Sequence, residues 1–129
     1  MLKNIYFIFG SLSGALAVAM GAYGAHAGTQ FLTPETMITY SKAVRYNANH
    51  SVVLLVVTLV ISQWPQVEKL LHAAGILLIS GLVLFSGSLY LLALTGINLG
   101  YITPLGGVCF ICGWICLAFA AWKKGQLEQ

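Results

Sequence analysis

Charge is what this chain has least of. Only 7% of its 129 residues are charged and 59% are hydrophobic, whereas about a quarter of an ordinary globular composition is charged. A soluble surface is excluded, and the chain reads as a membrane protein. Acids are scarcest: Glu35, Glu68 and Glu128 are the only carboxylates, each in a connection, a tail or a helix start. No acid pair therefore shares a membrane-embedded centre for proton transfer. A phosphate-cradling loop is lacking too, since FGSLSGAL, which has the right small residues, lies inside an apolar run and carries no lysine. Ser86 and Ser88 have no activating base near them in the same run. The expectation is a protein that is not an enzyme and uses no cofactor.

Cations are few and dispersed. Lys3, Lys42, Arg45, Lys69, Lys123 and Lys124 give a net charge of +3 but fall near the ends of apolar runs, where lysine and arginine anchor helices and set orientation. No nucleic-acid partner is expected. The three cysteines, Cys109, Cys112 and Cys116, follow an i, i+3, i+7 spacing within one apolar run, with no histidine or acid nearby. A thiolate is costly to form there, so they read as small packing residues and not as a metal or redox site.

What the sequence does have is long apolar runs. A helix needs roughly 20 residues to cross a ~30 Å hydrocarbon core, so the length allows about four spans with short connections. The fold class is all-α, a multi-pass four-helix transmembrane bundle forming a single integral membrane domain over 1–129. The spans fall at about 5–25, 44–63, 70–94 and 104–122. Trp64, Tyr101 and Trp122 sit near span ends, as interfacial rings do.

The first run carries Gly10, Gly14, Ala17, Gly21 and Gly24 at spacings of four and three, one face of a helix on which a neighbour can pack. A cleaved signal peptide is the competing reading, because Ala25, His26 and Ala27 form a small-x-small pattern; against it stand the packing stripe and a run longer than the ~7 to 15 residues of a signal core. Thr33, Pro34 and Glu35 then read as cap, first-turn proline and acid at a helix start. From Pro34 the helical pattern continues to about Gln63, longer than the apolar core, which makes the second helix an extended one.

In the second half, Ser86, Gly87 and Ser88 on the third span and Gly106 and Gly107 on the fourth mark a close antiparallel hairpin. Gly87→Leu is expected to disrupt it. Gly96, Asn98 and Gly100 supply the turn, with Thr103 placed as cap and Pro104 as first helical residue of the returning span. FGSLSGAL with LTP and FSGSLYLL with ITP give a faint suggestion of an internal repeat. Four spans put Lys3, Lys69, Lys123 and Lys124 on one side against Lys42 and Arg45 on the other, which places both termini in the cytoplasm.

GAYGAH (Gly21 to His26), AVRYNANH (Ala43 to His50), and GLVLFSGSLYLLALTG with ITPLGGVCFICGW resemble the small four-span bacterial inner-membrane family of unknown function that includes YgdD-like and YwdK-like proteins. The match spans nearly the whole chain. It implies a multi-pass protein of the bacterial cytoplasmic membrane and brings no catalytic residue or ligand; Asn47 stands where the family's tyrosine-led motif has glutamine.

The best candidate site is an outer polar cluster, with Tyr23 and His26 at the end of the first span and Arg45, Tyr46, Asn49 and His50 at the start of the second. An arginine fork with flanking donors suits a phosphate or carboxylate, such as a lipid headgroup; the competing reading is an arginine that snorkels and rings that satisfy helix ends. His72 beside Lys69 reads as interfacial. Two functions remain: a non-enzymatic structural or binding role toward membrane lipids or a membrane protein partner, and an oligomeric channel or transporter for a small solute or ion.

Overall fold

The computed structural model describes residues 1–129 and is helical almost throughout. Helix α1 spans Leu2–His26 and α2 spans Pro34–Gln63. Helix α3, Glu68–Gly81, runs through a π turn at Leu82–Ser86 into α4, Gly87–Thr95, so that these segments form one crossing. Helix α5, Ile102–Leu127, returns. Four helices are thus long and apolar enough to span a membrane.

Local chemistry sets the boundaries. Thr33 and Thr36 form a reciprocal capping box at the start of α2, with Pro34 in its first turn. At 30 residues this helix measures roughly 45 Å, which exceeds a hydrocarbon core. The α4 end is closed by Gly96 at φ 76°, in the left-handed region, its N–H bonding to Leu92 O at 2.9 Å. Asn98 Oδ1 then accepts from Gly100 N–H at 2.8 Å. The returning helix begins earlier than expected: Tyr101 is the cap, so Thr103 and Pro104 lie inside the first turn. Thr103 is no cap because its hydroxyl bonds instead to Ser88 on α4. Pro104 is tolerated there because the first-turn N–H groups have no intrahelical acceptor. The Thr-Pro pairs of the two halves therefore play different parts, and the suggested repeat does not extend to them.

Helix α2 lies at the centre. Its inward stripe, Tyr40, Ala43, Asn47, His50, Leu54, Val57 and Ile61, recurs every three or four residues. Helix α1 packs along one flank of α2, and α5 packs along the α3–α4 crossing. Close approaches occur where a glycine faces a neighbour. A Cβ on Gly106 would overlap the backbone of Leu84 and Phe85, and one on Gly10 would lie 3.1 Å from Ser51 O. Gly14, Gly21 and Gly107 make ordinary contacts. Gly87 is a correction: nothing lies within 4 Å of its Cβ direction, so it does not pack in the hairpin. Gly75 against Tyr6, Gly81 against Phe110 and Gly113 against Leu78 take that part instead.

One end of the bundle gathers both termini and the connection after α2. Lys3 Nζ donates to Ser62 Oγ at 3.2 Å, and Lys124 pairs with Glu128 and sits 5.3 Å from the Trp64 ring centroid. Near this end the core is apolar, built from residues such as Leu54, Val57, Ile61, Val67, Leu71 and Leu78.

Candidate functional site

The outer cluster anticipated from the sequence is not one site. Arg45 and Asn49 are exposed on α2, because the inward stripe of that helix takes Asn47, His50 and Ser51. Arg45 borders a shallow groove with Gly21, Ala25, Thr29 and Ser41. Tyr23 points into a different depression with Phe31, Leu32 and Leu94. His26 is exposed, and its carbonyl accepts from the Thr29 hydroxyl at 2.9 Å. Only Tyr46 and His50 meet, as stacked rings 5.7 Å apart.

His50 is buried, and both its ring nitrogens are engaged. Trp114 Nε1–H can only donate, so His50 Nε2, 3.1 Å away, accepts. The proton then resides on Nδ1, which donates to Tyr46 O at 2.9 Å. Phe110 also stacks on the imidazole, with centroids 3.8 Å apart. Every polar atom of this ring is spent on the protein, so His50 ties α2 to α5. His72 is likewise engaged, with Nδ1 3.1 Å from Tyr6 Oη, and the Tyr6 ring fills the space over Gly75.

A second polar group lies one step around α2, and the sequence reading did not single it out. Ser13 Oγ on α1 donates to Asn47 Oδ1 at 2.7 Å, Asn47 Nδ2 donates to Tyr90 Oη on α4 at 2.9 Å, and Ser51 donates to Asn47 O at 2.6 Å. Three helices thus meet through one buried amide. The available signal was Asn47 and Ser51 one turn apart, flanked by hydroxyl-bearing FGSLSGAL and FSGSLYLL; which partners they would find depended on helix placement.

Beside this network opens a cavity of about 380 Å³. Phe9, Leu12, Ser13 and Leu16 of α1 form one wall, Leu82, Val83, Ser86, Gly87 and Tyr90 form the other, and Asn47 lies at the floor. It is a lateral groove, for Leu12 and Val83 on its rims are 67% and 55% exposed. No charged side chain lines it. Ser86 is 2% exposed and its Oγ has no hydrogen-bond partner. The other buried hydroxyls differ: Ser51, Thr58 and Ser88 bond to backbone carbonyls, as helical serine and threonine commonly do. At Ser86 the carbonyl one turn back, Leu82 O, is engaged by the Gly87 N–H through the π turn. Such turns recur at functional sites.

Comparison with known proteins places this arrangement in context. The model of the family described as Protein of unknown function (DUF423) matches residues 20–107. A UPF0382 membrane protein of Staphylococcus epidermidis is 44% identical over 93% of this chain and 97% of its own length. The UPF0382 membrane protein YwdK of Bacillus subtilis is 39% identical over 93% of this chain and 98% of its own. The UPF0382 inner membrane protein YgdD of Escherichia coli is 34% identical over 94% and 92%. No solved structure matches.

Proposed function

This chain belongs to the DUF423 family of multi-pass membrane proteins, whose function is unknown, and from that premise we propose that it is a non-enzymatic binding protein whose lateral groove takes a lipid-like molecule. The observation that carries this reading is the buried, unpartnered Ser86 hydroxyl in an uncharged groove whose other polar side chains, Ser13, Asn47 and Tyr90, bond to one another. A hydroxyl left unpaired at membrane depth is costly, and a molecule able to bond to it offsets that cost. The same lining argues against catalysis, since no acid, base or charged group faces the groove. It also argues against a conduit: the core toward the terminal end, including Leu54, Val57, Leu71 and Leu78, offers no polar path.

The setting proposed is the bacterial inner membrane, as printed for the Escherichia coli relative, with both termini cytoplasmic. Lys3, Lys69, Lys123 and Lys124 lie toward the end that holds the termini, the side on which lysine and arginine accumulate. Surrounding lipid is then the partner. Tyr23, His26, Arg45 and Asn49, exposed members of the group first expected to cluster, serve as interfacial anchors under this reading.

Gly87→Leu tests the groove directly, because the new side chain enters open space and fills it. Native mass spectrometry of protein released from mild detergent is expected to show a bound lipid-sized mass on the wild type and its loss in the variant. Equal occupancy in both would remove the groove as the site.

A further inference from the structure

We propose that the groove holds one acyl chain of a glycerolipid, with its ester carbonyl accepting hydrogen bonds from the Ser86 and Tyr90 hydroxyls. This inference rests on the groove being a binding site and specifies what binds. Ser86 and Tyr90 are one helical turn apart on the same face. Both residues line the groove and each keeps an unused proton: Ser86 Oγ is buried without a partner, and Tyr90 Oη accepts from Asn47 while its own proton has no protein acceptor. Two neutral donors without a cation select an uncharged acceptor. A carbonyl meets that requirement; a phosphate or carboxylate would enter without a counter-charge.

Depth separates an ester from other carbonyls. Tyr90 and Ser86 lie roughly 8 and 14 Å from the helix end at Thr95, at 1.5 Å of rise per residue. The interfacial layer outside the hydrocarbon is roughly 5 to 8 Å thick on each side. Tyr90 therefore sits where the glycerol region gives way to hydrocarbon, which is where acyl esters lie, and Ser86 lies one helical turn below it. From there the groove continues toward the middle of the membrane between Leu12 and Phe9 on one wall and Leu82 and Val83 on the other, a purely apolar track for the chain. Nothing in it reads a headgroup, so the specificity resides in the linkage.

The test compares lipids that differ in that linkage alone. The full-length protein is placed in nanodiscs holding equimolar dioleoylphosphatidylglycerol and its diether analogue, in which the carbonyls are absent, and the tightly retained lipid is weighed by native mass spectrometry. The wild type is expected to prefer the ester by about fivefold to tenfold, the worth of one hydrogen bond or a little more. Ser86→Ala should abolish most of the preference and Tyr90→Phe should reduce it, while dioleoylphosphatidylethanolamine competes as well as the phosphatidylglycerol. Because the ratio is read within a single sample of each variant, a change in stability does not mimic the effect. Equal retention of ester and ether by the wild type overturns ester recognition and leaves the groove reading intact. An undiminished preference in both Ser86→Ala and Tyr90→Phe overturns it as well. Retention of both lipids by Gly87→Leu at the wild-type level overturns the groove reading itself.

Discussion

At the scale of single residues, two buried polar side chains on α2 do different work although three positions separate them. His50 closes its hydrogen bonds within the protein, against Tyr46 O and Trp114, and presents only ring faces to its surroundings. Asn47 gathers Ser13, Ser51 and Tyr90 around one amide. Trp114→Phe keeps the ring and removes the only donor to His50 Nε2. We expect a loss of about 1 kcal/mol, the usual size of an interhelical hydrogen bond in membranes, seen as a lower thermal midpoint in detergent. Asn47→Ala strands hydroxyls on two neighbouring helices and should cost about 1 to 3 kcal/mol in the same measurement. Asn49→Ala, on the exposed face of α2, should stay within about 0.5 kcal/mol of wild type. A midpoint as low for Asn49→Ala as for Asn47→Ala would contradict the assignment of inward and outward faces.

Between elements, the decisive contacts are backbone against backbone. Helix α5 approaches the π turn so closely at Gly106 that a methyl group has no room, for a Cβ would lie 2.8 Å from Leu84 C. One residue on, a Cβ at Gly107 would be 3.7 Å from the Phe85 side chain, an ordinary separation. Gly106→Ala should therefore force the hairpin apart and cost about 1 to 3 kcal/mol. Gly107→Ala should be neutral or slightly stabilising, since alanine is the better helix former. Chemical or thermal unfolding of the pair in one detergent checks this contrast. Gly87→Leu belongs with Gly107→Ala by the same reasoning: a thermal midpoint at or above the wild-type value is expected, because the side chain meets open space.

For the whole molecule, α1 is the flanking helix and the groove follows from where it sits. It packs along α2 and touches α3 less, so a cleft stays open between α1 and the π turn. Orientation is a property of the same scale, set by the summed lysines and arginines of each end. A green fluorescent protein fused after Gln129 should fluoresce and an alkaline phosphatase fused there should be inactive. Replacing Lys69, Lys123 and Lys124 together by Gln leaves Lys3 against Lys42 and Arg45, and should produce a mixed or inverted population in both reporters. Alkaline phosphatase activity in the wild-type fusion would reverse the proposed topology.

The sequence by itself determined the class, the four crossings, the long second helix with its Thr33 and Pro34 start, and the turn built on Gly96, Asn98 and Gly100. Each of these depends on hydropathy or on chemistry between near neighbours in the chain, so it is written locally. The Gly10 and Gly106 approaches were legible for the same reason, as small residues in an apolar helical face. Tertiary structure alone decided which face met which neighbour. Helical periodicity groups Arg45 with Asn49 and Tyr46 with His50, but it does not say which group turns inward, and the expected cluster of six came apart on that point. Gly87 shares its sequence surroundings with true packing glycines and differs only in lying opposite a cleft. Ser86 is distinguished from Ser51, Thr58 and Ser88 by a π turn, against whose backbone Gly106 of α5 packs closely. The groove exists because three helices leave a gap, and a gap is a relation between elements that no single stretch of chain encodes.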